Sequence, residues 1–286
     1  MLNHPKTARE AIEAAGLDYC VVRERLEANA GLKQESFAAL RTDNGYILGV
    51  VHDGYESIQN RDAFKFCDYL VGAGEALYEA AGKFGHGEHI WILVKLSGFL
   101  EVPGSDRINK YLLLTNSHDG SAHVCAKVTP IRVVCNNTLT SALQGAGDIQ
   151  ISHTHDAVKN LEQAVKLLEW SNSLYKRLNG IFNAMASQKI TEAQLQAYVQ
   201  ALVPDNEETE TDERTENIRQ SVLQLYESGR GANLSGGTLW GAFNSVTEYT
   251  DHLMLSGNAT ARLNSIWFGR GEQLKLKAFR LAMQMM

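Results

Sequence analysis

The sequence predicts an α+β fold: an antiparallel or mixed sheet in the amino-terminal half with helices on one face, then a helical carboxyl-terminal half. Three observations predict it. Apolar and polar residues alternate on both sides of Asp43-Asn44-Gly45, and an Asn-Gly pair between alternating runs is a strong hairpin signal. Short apolar runs punctuated by glycine follow as far as Val134, and from Asp156 onward apolar residues recur at intervals of three and four.

Taken in order, Ser36 to Val51 forms the hairpin. Arg61 to Ala73 places Phe64, Cys67, Tyr69, Leu70 and Val71 at near-helical spacing, which predicts a helix across the sheet. Strands are predicted over Ile90–Leu96, Lys110–Thr115 and Ala122–Val134, separated by Gly85, Gly87, Pro103-Gly104 and Asp119-Gly120. The order β-β-α-β-β-β with short connections suits an antiparallel or mixed sheet. A long amphipathic helix is predicted from Asp156 to Ala186, carried by Val158, Leu161, Ala164, Val165, Leu168, Trp170, Leu174, Leu178 and Ile181, with Gly180 as a bend or end. Helices are also predicted over Glu192–Leu202, capped by Thr191 and stopped by Pro204, and over Glu213–Glu227, Thr238–Leu255 and Glu272–Met286. This gives a sheet-rich core over 1–155 and a helical region over 156–286 packed on it, two parts or one continuous domain.

With 44% hydrophobic and 21% charged residues, the 286-residue chain matches ordinary globular composition, which excludes a disordered or fibrous protein. No apolar run approaches the roughly 20 residues of a membrane helix, and Met1 to Glu13 is polar, so a soluble cytoplasmic protein is expected, with no membrane partner. Four cysteines without CxxC spacing read as free, mostly buried thiols. The net charge of -6 gives no overall attraction to nucleic acid, so polyanion binding needs a local basic surface or an oligomer that lines one up. Charge is uneven: Asp205 to Glu216 is acidic, whereas Arg262, Arg270, Lys275, Lys277 and Arg280 face only Glu272. An acidic loop and a solvated basic helix explain this; a basic tail that contacts phosphate is the sharper reading.

Three segments are candidates for chemistry. Thr129 to Leu139 is a strand running toward a helix, with Arg132 inside an apolar strand and Asn136 and Asn137 at the end. Arg132 either holds an external phosphate or carboxylate, or pairs with a buried acid while the asparagines cap. Ile149 to Asp156 contains His153 and His155, an HxH spacing that puts both imidazoles on one face of a strand and still needs a third metal ligand from elsewhere. Thr238 to Leu255 carries a core stripe of Leu239, Phe243, Val246, Thr250 and Leu253. Beside it runs a polar stripe of Trp240, Asn244, Thr247, Glu248 and Asp251 with no lysine or arginine. Either Glu248, Asp251 and His252 join the HxH pair as a metal or acid/base cluster, or Glu248 or Asp251 neutralises Arg132 as an internal clasp.

The run PIRVVCNNTL at 130–139, HTHDA at 153–157 and WGAFNSVTEYTDH at 240–252 together resemble a phage/plasmid-like family of bacterial and viral proteins, over roughly 30–280. The resemblance implies a role in the life of mobile DNA and carries no catalytic residues with it. The leading expectation is therefore a non-catalytic nucleic-acid-associated protein, single-stranded DNA favoured, acting as a homo-oligomer in binding, annealing or recombination. Arg132, Lys127, Lys95, Arg61 and Lys65 would contact phosphate, and Trp91 would stack a base. No cofactor is required by that reading. One alternative is a metal- or acid/base-dependent enzyme that uses a divalent ion at His153, His155, Glu248, Asp251 and His252; another is a protein-binding inhibitor of a host defence system. No GxxxxGK[ST], GxGxxG or GxSxG motif supports nucleotide-driven or serine-hydrolase chemistry.

Overall fold

The computed structural model describes residues 4–26, 36–55, 57–121, 124–134, 137–139, 149–151, 157–205, 213–255 and 257–286. The chain opens with helix α1 (Ala8–Ala14), strands β1 (Val21–Arg25), β2 (Ser36–Arg41) and β3 (Ile47–His52), and two short helices, α2 (Asn60–Ala63) and α3 (Asp68–Gly72). Strands β4 (Ala76–Phe84), β5 (His89–Val102), β6 (Asp106–Ser117), β7 (Val124–Val128), β8 (Ile131–Arg132), β9 (Asn137–Thr138) and β10 (Ile149–Ile151) follow. Helices α4 (Ala157–Ser187), α5 (Glu192–Leu202), α6 (Glu213–Ser228), α7 (Ala232–Ser235), α8 (Leu239–Glu248), α9 (Ala259–Phe268) and α10 (Arg270–Met285) complete the chain. The fold is thus mixed α+β, with antiparallel sheets first and helices after. It divides into two compact units, one of Met1–Ser97, Tyr111–Val128 and Gly147–Asn172, the other of Gly98–Lys110, Thr129–Ala146 and Ser173–Met286.

In the first unit β1, β2 and β3 form an antiparallel ribbon, with Val21 opposite Arg41 and Ser36 opposite His52. Its β2–β3 turn is closed by Gly45 at φ 72°, a left-handed conformation that glycine adopts without strain, and by Asn44, whose side chain accepts from the Tyr46 amide at 3.0 Å. The larger sheet runs β10-β7-β6-β5-β4. Ile90, Ile92 and Val94 on β5, Leu112 and Leu114 on β6 and Ala126 on β7 are fully buried and make its core. The expected helix over Arg61–Ala73 is broken into α2, a 3-10 turn at Lys65–Cys67, and α3. Phe64 and Phe66 are both buried, and a regular helix would point residues two apart some 200° away from each other, so the ladder breaks at Phe64. Strand β4 and helix α1 were not expected; β4 is rich in alanine and glycine and carries a bulge between Tyr78 and Ala80.

In the second unit β8 pairs with the start of β6 (Ile108 opposite Arg132) and with β9 (Arg132 opposite Asn137). The α4 residues Leu174, Tyr175, Leu178, Phe182 and Met185 are buried at helical spacing. In its earlier part, Ala164 and Leu167 are buried while the expected stripe residues Leu161 and Val165 are exposed, so the buried stripe lies about one residue round from the predicted one. Helix α5 matches its expected bounds because a capping box fixes its start: Thr191 accepts from Gln194 N, and the Gln194 side chain accepts from Thr191 N. Every residue of α8 is buried, with Trp240 packed on Phe182 and Phe243, and Phe243 on Phe279 of α10.

Candidate functional site: a buried charge network and an open cleft

The three-residue loop between β5 and β6 delivers Asp106 to the first position of β6, and β8 lies beside that strand. Arg132 and Asp106 therefore meet inside the second unit. The guanidinium Nε donates to Asp106 Oδ2 at 2.7 Å and Oδ1 at 2.9 Å, and Nη2 lies 2.6 Å from Oδ2. Nη2 also donates to the Gly231 carbonyl at 3.1 Å, and Trp240 Nε1 donates to Asp106 Oδ2 at 2.9 Å. Both charges are almost wholly buried, at 1% and 0% exposure. An ion pair this deep persists because each charge is hydrogen-bonded as well as paired. Gly231, at φ 76°, permits the approach: a Cβ there would stand 2.6 Å from Val134 Cγ1 and 3.1 Å from the Arg132 Nη2.

The expected clasp between sheet and late helix is present, but its carboxylate is Asp106, not Glu248 or Asp251. Glu248 accepts from the Arg230 amide at 3.1 Å. Asp251 accepts from the Thr138 amide at 2.6 Å and from Lys275 Nζ at 2.9 Å, and Lys275 also donates to the Thr138 carbonyl at 3.1 Å. Asn137 donates to Thr247 Oγ1 at 3.2 Å and takes His252 Nε2 at 3.0 Å on its Oδ1. Asn244 donates to the Trp240 carbonyl at 2.8 Å. The polar stripe of α8 lacks lysine and arginine because it faces this interior.

Helix α8 passes into a π-turn at Tyr249–Leu253, closed by the Met254 amide donating to the Tyr249 carbonyl at 2.8 Å. The wider turn changes the phase of the helix, so Leu253, expected on the core stripe, is 54% exposed, while Thr250 and Asp251 stay buried. Tyr249 and Leu253 instead line an open cleft of about 880 Å³, with Arg214 and Asn217 of α6, Asn264 of α9 and Arg270 of α10. Burial raises the Tyr249 phenol above its ordinary value, and the Arg214 charge works against that rise.

Arg270 also begins a solvent-facing stripe of α10. Arg270, Gln273, Lys277, Arg280 and Gln284 recur at intervals of three and four, exposed or half-exposed, opposite the buried Gly271, Lys275, Ala278, Phe279 and Ala282. The stripe contains no acid. Its periodicity was available in the sequence as a charge excess; which side is buried was not.

The remaining expected residues lie in the first unit. Lys95 is half-buried on β5 opposite Leu77, and Lys127 is half-buried on β7 opposite Leu113. Trp91, two alternations from Lys95, is buried over Gly82. Arg61 Nη2 lies 3.1 Å from Cys20 Sγ, and Lys65 is ion-paired with Asp62. Asn136, His153 and His155 lie outside the described residues. Among the described residues no group of three or more His, Cys, Asp or Glu is arranged to hold a metal ion, and no helix is long and apolar enough to cross a membrane.

A family model described as "Domain of unknown function (DUF932)" matches residues 47–267. No curated protein and no solved structure matches the chain.

Proposed function

We propose that this chain, which belongs to the family described as a domain of unknown function, DUF932, is a non-catalytic nucleic-acid-associated protein that binds single-stranded DNA in the service of a mobile genetic element. The observation that carries this reading is the α10 stripe, where three cations and two glutamines stand on one solvent-facing side over 15 residues. At about 1.5 Å per residue the stripe spans roughly 21 Å, enough to follow several successive phosphates. Guanidinium and ammonium groups supply sequence-independent affinity, and carboxamides bond to either phosphate or base. Arg132 is held by Asp106, so phosphate contact is assigned to Arg270, Lys277 and Arg280 in its place. A net charge of -6 opposes DNA binding at long range, and a homo-oligomer that repeats the stripe would counter it. The sequence resemblance to phage/plasmid-like proteins supports the mobile-element setting.

The test is anisotropy of a labelled oligo(dT) with the full chain across a salt series. Three phosphate contacts at about 0.7 each on single strands give a slope of about −2 in log affinity against log salt. Lys277→Gln with Arg280→Gln should weaken binding and flatten that slope to below about −1. Absence of binding at low salt ends the proposal.

A further inference from the structure

We infer that the cleft beside the π-turn is a nucleotide pocket, receiving one unpaired nucleotide of the strand that lies along α10. This rests on the reading of α10 above and adds to it the place where a base leaves the strand. Four features point to a nucleotide. The cleft presents a half-exposed phenol ring, Tyr249, next to the exposed apolar Leu253, which suits the face of a planar base. Two carboxamides, Asn217 and Asn264, each offer a donor and an acceptor, matching the mixed edge of a base. Two guanidinium groups, Arg214 and Arg270, against the single carboxylate Glu213, leave the lining net positive inside an acidic chain, which suits a phosphate. The volume, about 880 Å³, lies within the range of small-ligand sites.

The position matters as much as the composition. Arg270 belongs to both the cleft and the stripe, so a strand tracking α10 reaches the cleft through a shared phosphate contact. The floor is fixed by the buried network: Thr250 and Asp251, between Tyr249 and Leu253, are held inside, Asp251 by Lys275 and the Thr138 amide. The aromatic wall is therefore preorganised, which lowers the ordering cost of capturing a base. A base paired in duplex cannot offer its faces to the phenol, so the cleft selects single strands.

The experiment uses the full chain in amide-resolved NMR with the 5′-phosphorylated dinucleotide pdTdT, unphosphorylated dTdT and inorganic phosphate as separate probes. The parallel arm measures oligo(dT) and duplex affinity of Tyr249→Leu and Arg214→Gln, both at solvent-accessible positions, with thermal melts to verify folding. The expected result is saturable shifts at Tyr249, Leu253 and Gly269 with pdTdT, weaker with dTdT, and a loss on the order of tenfold in oligo(dT) affinity for Tyr249→Leu, with duplex affinity unchanged. Shifts equal with inorganic phosphate alone, or a folded Tyr249→Leu that binds single strands as the parent does, would overturn the pocket. Failure of the α10 reading looks different: pdTdT still enters the cleft, while Lys277→Gln with Arg280→Gln leaves DNA affinity and salt slope untouched.

Discussion

Replacing Asp106 by Asn tests whether the buried ion pair organises the second unit. Asp106 is fully buried and takes hydrogen bonds from both the Arg132 guanidinium and the Trp240 indole. Asn is nearly isosteric and keeps one acceptor, so the loss is one of charge. Arg132, at 1% exposure, would be left with the Gly231 carbonyl and the Ser235 hydroxyl in place of a counter-charge. Breaking a buried pair from one side costs about 3–5 kcal/mol. Against the 5–15 kcal/mol typical of a domain, that is a large share of the total. Urea unfolding monitored by tryptophan fluorescence should show the midpoint fall with an unchanged slope. Removing both charges together, Asp106→Leu with Arg132→Met, should cost less than either single change, because no uncompensated charge remains. An Asp106→Asn protein within about 1 kcal/mol of the parent, or a double variant whose loss equals the sum of the singles, would refute the reasoning.

Two further perturbations follow from geometry and burial. His118 is fully buried, with Nε2 2.6 Å from Asn60 Oδ1, and desolvation lowers its pKa from 6.5 to about 4. The unfolded chain therefore takes the proton first: the stabilisation is complete above about pH 6.5 and is lost as pH falls toward 4, reaching about 3 kcal/mol below that. Urea midpoints of the parent and His118→Gln at pH 7 and pH 4.5 should converge at acid pH; equal pH slopes would contradict it. Gly231→Ala should destabilise by more than 1 kcal/mol, since φ 76° and the Val134 and Arg132 atoms both oppose a side chain. Gly180→Ala, exposed within α4 with open space around it, should stabilise by roughly 0.8–1 kcal/mol; a pair of thermal melts that reversed this order would discredit the local geometry.

Local chemistry made parts of this fold legible in the sequence. The Asn-Gly turn and the Thr191–Gln194 capping box each specify their structure within a few residues, and β2–β3 and α5 stand where those signals put them. What depended on distant partners was not legible. Arg132 was recognised as anomalous, yet its counter-charge, Asp106, sits 26 positions earlier beside a loop whose Pro103-Gly104 read only as punctuation. The polar side of α8 was recognised as unlike a solvated face, but assigning its partners needed the return of β9 and of Lys275 from α10. The π-turn left no trace in the pattern, because a change of phase at a helix end looks like the periodicity running out.

The extra residue in that turn sets a constraint on insertions and deletions. Deleting one position within Tyr249–Leu253 would let the segment rewind as ordinary helix and rotate all that follows by about 100°. Lys275 could then no longer answer Asp251, and Leu253 would swing back toward the interior, so shortening this stretch should be far less tolerable than substituting any single member of it. Length, more than residue identity, is what this corner of the molecule has to keep.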